Sequence, residues 1–387
     1  MINFEYTCPT RVIFGKGTQA CTGKEVKKYG NKVLVHYGGS SAKRSGLYNQ
    51  VIESLRNEGL DFIELGNVKP NPHVGLVREG IRLCREESVN FILAVGGGSV
   101  IDSAKAIAAG SKYHGDVWDF YIQKAQVEEA LPLGVVLTIP AAGSEISPDS
   151  VITNNEGLLK RGCSGESLRP KFSILNPELC YTLPEYQISA GITDILAHVM
   201  ERYFTNTPNT DLTDRLCEAT MKSIMVNAPK VLQNKTNYDA WAEIMWGGSI
   251  AHCNLLGTGR QQDWGSHNIE HELSAQYDIA HGAGLAIIFP AWMKYVYHNN
   301  LSRFVQFAVR VLDVDLPCSP LEDIALEGIR RIEQFFHSIK MPVRLGEVGI
   351  SEENFELMAK KACQFGTIGN LKQLQEKDVL AIYHLAK

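Results

Sequence analysis

No two of the nine cysteines stand in a CxxC pair, and their number is odd. A thiolate zinc site and a secreted cystine scaffold are therefore excluded in favour of scattered reduced thiols, as in a cytoplasmic protein. Positive charge is not in excess: 38 Lys and Arg stand against 43 Asp and Glu, a net charge of -5, which excludes the basic footprint of a nucleic-acid binder. No apolar run reaches the roughly 18 residues that cross a bilayer. Met1 to Tyr6 leads straight into strand-like sequence, with no charged-then-apolar leader. Internal repeats, low-complexity stretches and long linkers are missing as well. What remains is an ordinary soluble composition over 387 residues, enough for two or three domains at roughly 100–200 residues each.

The first half alternates β-branched runs with amphipathic segments. Lys32–Tyr37 (KVLVHY), Phe62–Leu65, Phe91–Val95 (FILAV) and Leu133–Ile139 (LGVVLTI) read as strands, with helices such as Gly46–Asn57 and His73–Glu86 between them. That alternation predicts a parallel sheet flanked by crossover helices. After about Pro184 the texture changes to long 3.6-period segments: Glu185–Tyr203, Leu212–Val226, Asp239–Leu256, Pro320–Ile339 and Asp378–Ala386. The expected architecture is an α/β domain over residues 1–180 followed by an all-α domain over residues 181–387.

There is no GxGxxG fingerprint, but two glycine turns end strand candidates. FILAV runs into Gly96-Gly97-Gly98-Ser99 and then a helix opening at about Ser99. Glycines let the backbone approach a ligand, and the unpaired amides of a helix N-terminus attract anions, so a diphosphate is the natural guest. The earlier turn, Gly38-Gly39-Ser40, closes KVLVHY and is followed by Lys43 and Arg44. An acid near such a turn binds the adenosine ribose, whereas small or basic residues accommodate a 2′-phosphate; no acid stands here, which favours NADP(H) over NAD(H). Thr138 to Glu145 forms another strand-to-turn element, and Lys160 lies downstream in a polar stretch.

Asp194 and His198 are four residues apart within ISAGITDILAHVMERYF, so a helix would present both on one face. Further on, His267, His271 and His281 follow within fifteen residues of sequence, HNIEHELSAQYDIAH. Oxygen and imidazole donors without thiolate describe a Lewis-acid metal site more often than a structural one. Spacing alone favours the helical pair His267 and His271; it nominates five candidates and does not choose four. The remaining histidines lack such company and read as surface or core.

On these residues the chain resembles the iron-containing alcohol dehydrogenase family, in particular its butanol dehydrogenase-like, NADPH-dependent aldehyde reductase branch. The likeness runs over nearly the whole chain, from FEYTCPTRVIFGKG through Lys69-Pro70-Asn71-Pro72, GGGSVIDSAKAIA and TIPAAGSE into ITDILAHVMERY. It continues through HNIEHELSAQYDIAHGAGLAI to EKDVLAIYHLA. The histidine blocks are specific to the family; the glycine motif is shared with glycerol dehydrogenases and dehydroquinate synthases. The resemblance implies a dehydroquinate synthase-like architecture, with a dinucleotide-binding domain and a metal-binding domain. It implies that Asp194, His198, His267 and His281 bind one divalent metal, Fe2+ before Zn2+, with His271 a nearby non-ligand that relays a proton. Gly97, Gly98, Ser99 and Asp102 match the diphosphate-binding motif, and Gly38, Gly39 and Ser40 match the adenosine-ribose end. Asn71, Thr138, Ser144, Lys160 and Leu183 fall at positions lining the cofactor. A cytoplasmic homodimer is the family expectation. Two departures stand out: Ala142 where a threonine is usual, and Asn176 where an aspartate is common.

The expected reaction is hydride transfer between NADP(H) and a short- to medium-chain alcohol or aldehyde such as butanol or butanal. A lyase of the dehydroquinate synthase type, or a polyol-phosphate dehydrogenase, would need a cluster of Lys and Arg for substrate phosphate or carboxylate. Trp246, Leu255, Leu256, Trp264, Ile288, Phe289 and Trp292 surround the ligands in sequence instead, predicting an apolar pocket with few cations. A metal-bearing scaffold without catalysis is the reading from outside enzymology, and the intact ligands and glycine turn speak against it.

Overall fold

The computed structural model describes residues 1–315 and 317–387. Among these, eight strands appear in chain order: β1 (Arg11–Phe14), β2 (Lys32–Tyr37), β3 (Asp61–Leu65), β4 (Phe91–Gly96), β5 (Leu133–Leu137), β6 (Asp149–Asn154), β7 (Leu159–Ser164) and β8 (Phe172–Leu175). Six of them pair in parallel as β1-β8-β5-β4-β2-β3, while β6 and β7 form a separate antiparallel hairpin. Every residue of β4, β5 and β8 is buried. Near-continuous apolar runs are what strands covered on both faces require, and they are why FILAV and LGVVL were legible as strands. Val33, Val35, Leu93, Val95 and Ile174 share one core cluster with Val51 and Leu55 of the Leu47–Asn57 helix.

The connections locate a switch point. The chain leaves β2 for β3 on one side and then returns to β4 on the other side of β2. Ligands of open parallel sheets bind beyond the carboxyl ends of strands that diverge in this way. Gly38–Ser40 follows β2 and Gly97–Ser99 follows β4, so the two glycine turns fall at that point of the sheet. The turn after β4 passes directly into the Gly98–Lys112 helix, whose N-cap is Gly97.

Four strands went unread in the sequence: β1, β6, β7 and β8. β1 and β8 are four residues each, and β7 (LKRGCS) mixes charge with glycine, so neither length nor alternation marked them. β5 stops at Leu137, short of the expected Ile139. The Thr138 amide still bonds the Gly96 carbonyl as a last rung towards β4, and Ile139, which precedes Pro140, lies beyond it in the loop.

After β8 the described residues form helices and turns, with one isolated bridge between Ile368 and Leu374. Glu185–Tyr203 is a helix over the expected span. The next helix, Asp211–Gln233, runs past the expected Val226 and through Pro229. Tyr238–His252 ends before Leu256, because Asn254 adopts a left-handed φ of 70° and a short turn follows. None of the described helices is long and apolar enough to cross a membrane.

Two compact units result. One comprises Thr7–Leu183 with Lys235–Met245; the other comprises Met1–Tyr6, Pro184–Asn234 and Trp246–Lys387. The boundary at Leu183 and Pro184 is where strand–helix alternation ends. The first six residues and the Lys235–Met245 segment each join the unit that chain order alone would not assign them, since periodicity along a chain carries no information about which core a helix end joins.

Candidate metal centre and glycine turns

Asp194 and His198 lie on the Glu185–Tyr203 helix, His267 and His271 on the Gly265–Tyr277 helix, and His281 opens the His281–Val296 helix. Ligand atoms of Asp194, His267 and His281 lie within 4.8 Å of one another. Among the described residues His271 groups instead with Glu270 and His281, so the i,i+4 pair favoured by spacing does not form one cluster. The His198 ring stands beside the first group, 4.7 Å from the His267 ring and edge-on to it. The His271 ring is half-buried and 5.6 Å from that of His281.

All three imidazoles are held by Nδ1. His198 Nδ1 bonds the Asp194 carbonyl oxygen at 2.8 Å, His267 Nδ1 bonds Glu201 Oε1 at 2.7 Å, and His281 Nδ1 bonds Glu270 Oε2. A neutral imidazole that donates from Nδ1 carries its lone pair on Nε2. His267 Nε2 and Asp194 Oδ1 are buried without a hydrogen-bond partner. Asp194 Oδ1 is 3.0 Å from His198 Nδ1, but the Nδ1 proton is committed to the backbone carbonyl. Such orphaned buried atoms demand an explanation, and a divalent ion supplies one: the residues fit it. Nitrogen and oxygen donors without thiolate suit Fe2+ and Zn2+ alike.

The electrostatics agree. Burial pushes the Asp194 carboxyl up, but His198 and His281 outweigh it and hold the group below the usual carboxylate range. Burial, followed by the neighbouring His198 and His281, pushes the His267 imidazole well below its usual value. The set is thus one carboxylate with a neutral imidazole at His267, which is the ionisation a metal ligand needs.

Sequence reasoning missed the residues behind the ligands. Glu201 is fully buried and also accepts from the His267 amide at 3.0 Å and the Trp264 amide at 2.6 Å. Glu270, equally buried, accepts from the Ser274 hydroxyl. A signal did exist: His198-Val-Met-Glu201 and His267-Asn-Ile-Glu270 repeat one spacing on two helices. His252, read as surface or core, is buried 4.4 Å from the His198 ring. Arg202 packs over Trp264 and donates to the His198 carbonyl at 2.8 Å, with His252 Nδ1 3.1 Å away. The motif His281-Gly-Ala-Gly284 is explained by close approach. A Cβ on Gly282 would lie 1.9 Å from the Ala190 carbonyl oxygen, and one on Gly284 would lie 2.5 Å from Glu270 Oε1.

The expected apolar lining requires correction. Leu256, Ile288, Phe289 and Trp292 are buried in the core, where Phe289 and Trp292 pack with Phe204. A fully buried ring has no surface to offer a substrate. Trp246 is exposed, and Leu255 and Trp264 are half-buried.

In the other unit, Gly97 is required by contact, since a Cβ there would lie 2.2 Å from Ile139 Cγ2. Gly98 and Ser99 form the first turn of the Gly98–Lys112 helix. Gly38 accepts from the Asn67 amide at 3.0 Å; Gly39 is exposed with nothing within 4 Å of where a Cβ would be. Ser40 accepts from Arg44, while Lys43 sits over the Tyr37 and Tyr48 rings, 3.5 Å from Glu64. Asn71 is buried with a left-handed φ of 51°. Lys160 is buried on β7 opposite Thr153, and Leu183 bonds the Cys180 carbonyl through its amide.

Asp102 and Ser144 are bound to each other, the Ser144 hydroxyl donating to Asp102 Oδ1 at 2.6 Å, while Asp102 Oδ2 accepts from the Val151 amide. Lys105, unmentioned in the sequence reading, is wholly buried and donates to Ser144 Oγ and to the carbonyls of Ser147 and Asp149. Burial pushes its ammonium down to about 8, against the pull of Asp102. These three side chains tie the segment from Ser144 to Val151 onto the helix that follows the glycines. Ala142 places its methyl 3.4 Å from where a Cβ on Gly98 would be, and Asn176 caps the next turn by accepting from the Glu178 amide.

The Iron-containing alcohol dehydrogenase family model matches residues 9–177, and the model for the C-terminal part of the Fe-containing alcohol dehydrogenase family matches residues 188–387. The chain is 47% identical, over 99% of its own length and 99% of the relative's, to a probable NADH-dependent butanol dehydrogenase 2 of Bacillus subtilis (strain 168). It is 33% identical, over 95% of its length and 94% of the relative's, to the NADPH-dependent aldehyde reductase YqhD of Escherichia coli (strain K12). The crystal structure of an NADH-dependent butanol dehydrogenase A from Thermotoga maritima superposes with a TM-score of 0.97 at 39% identity, covering 100% of this chain and 99% of that one.

Proposed function

The chain belongs to the iron-containing alcohol dehydrogenase family, and on that premise we propose that Asp194, His198, His267 and His281 hold one divalent ion, Fe2+ before Zn2+, for alcohol–aldehyde chemistry. The enzyme is a nicotinamide-dependent oxidoreductase of alcohols and aldehydes, and we read its substrates as short- to medium-chain, butanal-like compounds. The observation that carries the reading is the common tethering of three imidazoles by Nδ1 around a buried, unsatisfied Asp194 oxygen and His267 Nε2.

A bound ion supplies a Lewis acid for the substrate oxygen, and a bound nicotinamide supplies or accepts the hydride. The chain's own residues do the rest. His267 and His281 each donate from Nδ1 to a buried glutamate, Glu201 and Glu270; Asp194 brings negative charge to the cage. His271 is read as the group that passes a proton to or from solvent, a role supported by its half-buried position beside His281. Gly97, Gly98 and Ser99 offer helix-terminal amides to a diphosphate, with Asn71, Thr138, Lys160 and Leu183 as further cofactor positions. Asp102 and Ser144 serve the cofactor by holding the loop that Lys105 anchors.

Preference for NADP(H) over NAD(H) is the finer reading. Gly38–Ser40 presents no acid, Gly39 leaves open space, and Arg44 reaches Ser40. The relatives named as NADH-dependent argue for the other cofactor, so this choice is decided by kinetics. Against the lyase and polyol-phosphate readings, two buried arginines on or beside the helices of the cage are already engaged. The buried Arg202 is engaged with His198 and His252, and the buried Arg260 with Asp214 and the Thr210 carbonyl.

Metal analysis of the purified chain, paired with butanal reduction by NADPH, tests the cage. About one divalent ion per chain is expected, and His267→Ala should lose both the ion and the rate. A His267→Ala protein that keeps its ion would sink the ligand assignment.

A further inference from the structure

Two carboxylates lie wholly out of solvent behind the cage, each on a different ligand histidine. Burying a carboxylate is costly unless its oxygens are bonded and positive charge stands near. Glu201 spends its oxygens on the Trp264 and His267 amides and on His267 Nδ1. Glu270 spends its own on the Ser274 hydroxyl and on His281 Nδ1. Each carboxylate thereby holds its ring through Nδ1 and leaves Nε2 as the nitrogen open to a ligand.

We propose that Glu201 and Glu270 are positioning residues that fix the imidazoles of His267 and His281 with Nε2 towards the ion and raise the site's affinity for it. The inference rests on the ion-cage reading above. Hydrogen-bonded carboxylates behind ligand imidazoles set ring orientation and ligand basicity, and their loss typically lowers metal affinity about 10- to 100-fold. The surrounding sequence serves the same end. Gly284 leaves the space that Glu270 occupies. Asp263 accepts from the Gly265, Asn370 and Leu371 amides, fixing the start of the helix that carries both His267 and Glu270.

Glu270→Gln isolates the charge. Its amide oxygen can still accept from His281 Nδ1, and its amide nitrogen can donate to Ser274 Oγ, whose proton can turn to the Ile279 carbonyl 3.3 Å away. Glu201→Gln is less clean, because an amide nitrogen would face the Trp264 N–H. The measurement is Co2+ affinity of the metal-stripped full chain, by competition against a chelator, with the visible cobalt spectrum recorded alongside. Wild type should bind tightly, His267→Ala should not bind, and Glu270→Gln should bind about 10- to 100-fold more weakly with a shifted spectrum. A Glu270→Gln affinity within about twofold of wild type overturns the positioning role while leaving the cage intact. Failure of wild type to bind Co2+, or undiminished binding by His267→Ala, overturns the cage instead. A second measurement needs no variant: cobalt-loaded wild type should show shifted, slowly exchanging Nδ1–H proton resonances from His267 and His281, and rapid exchange of both overturns the inference.

Discussion

His267 donates from Nδ1 to Glu201 and His281 from Nδ1 to Glu270, so Nε2 is the nitrogen each ring leaves for the proposed ion. His271 has a different place, outside the group formed by Asp194, His267 and His281. A proton relay there predicts that His271→Ala keeps its metal but loses turnover by about 10- to 100-fold, with the pH profile of kcat altered. Unchanged kinetics across pH would remove His271 from the mechanism. At this scale the sequence was legible in part. Asp194 and His198 were recognisable because four residues make one helical turn. The choice of His281 over His271 came from family resemblance, since separation along the chain says nothing about which helix start folds back onto another helix. Glu201 and Glu270 were hidden because an acid on a helix reads as a solvated face until the packing of its neighbours is known. Asp102 and Ser144 were nominated as cofactor contacts, and the structure shows their polar atoms bound to one another.

At the scale of elements, sheet order explains why two separated turns belong together. β2 and β4 are neighbours although β3 lies between them in sequence, which brings Gly38–Ser40 and Gly97–Ser99 to the diverging ends of adjacent strands. Central strands were readable as apolar runs; the pairing of β8 with β1 and β5 was not, since four-residue strands carry no period. The cofactor prediction belongs to the first of these turns. Steady-state kcat/KM with butanal should be higher for NADPH than for NADH, and Gly39→Asp should shift the ratio towards NADH. The substitution is sterically free: Gly39 has no left-handed φ, and no atom lies within 4 Å of the new Cβ. The shift expected is about tenfold or more, the scale of one charged hydrogen bond to a ribose or phosphate. A clear native preference for NADH would defeat the reading of this turn.

For the whole molecule, the two families of site residues sort by compact unit. The expected cofactor positions all fall within Thr7–Leu183, and the proposed ion ligands fall within Pro184–Asn234 and Trp246–Lys387. Neither set is expected to perform the reaction alone: the glycine turns offer no Lewis acid, and the cage residues offer no hydride. Hydride is expected to pass directly from the nicotinamide to the aldehyde carbon, with the ion required for the transfer. The decisive measurement is transfer of deuterium from the nicotinamide C4 of labelled NADPH to butanal, before chelation, after ion removal and after readdition of Fe2+. The expected result is one deuterium on the carbinol carbon of butanol, loss of transfer from the stripped enzyme and its return with Fe2+. Undiminished transfer by an ion-free enzyme, or label lost to water, would contradict it.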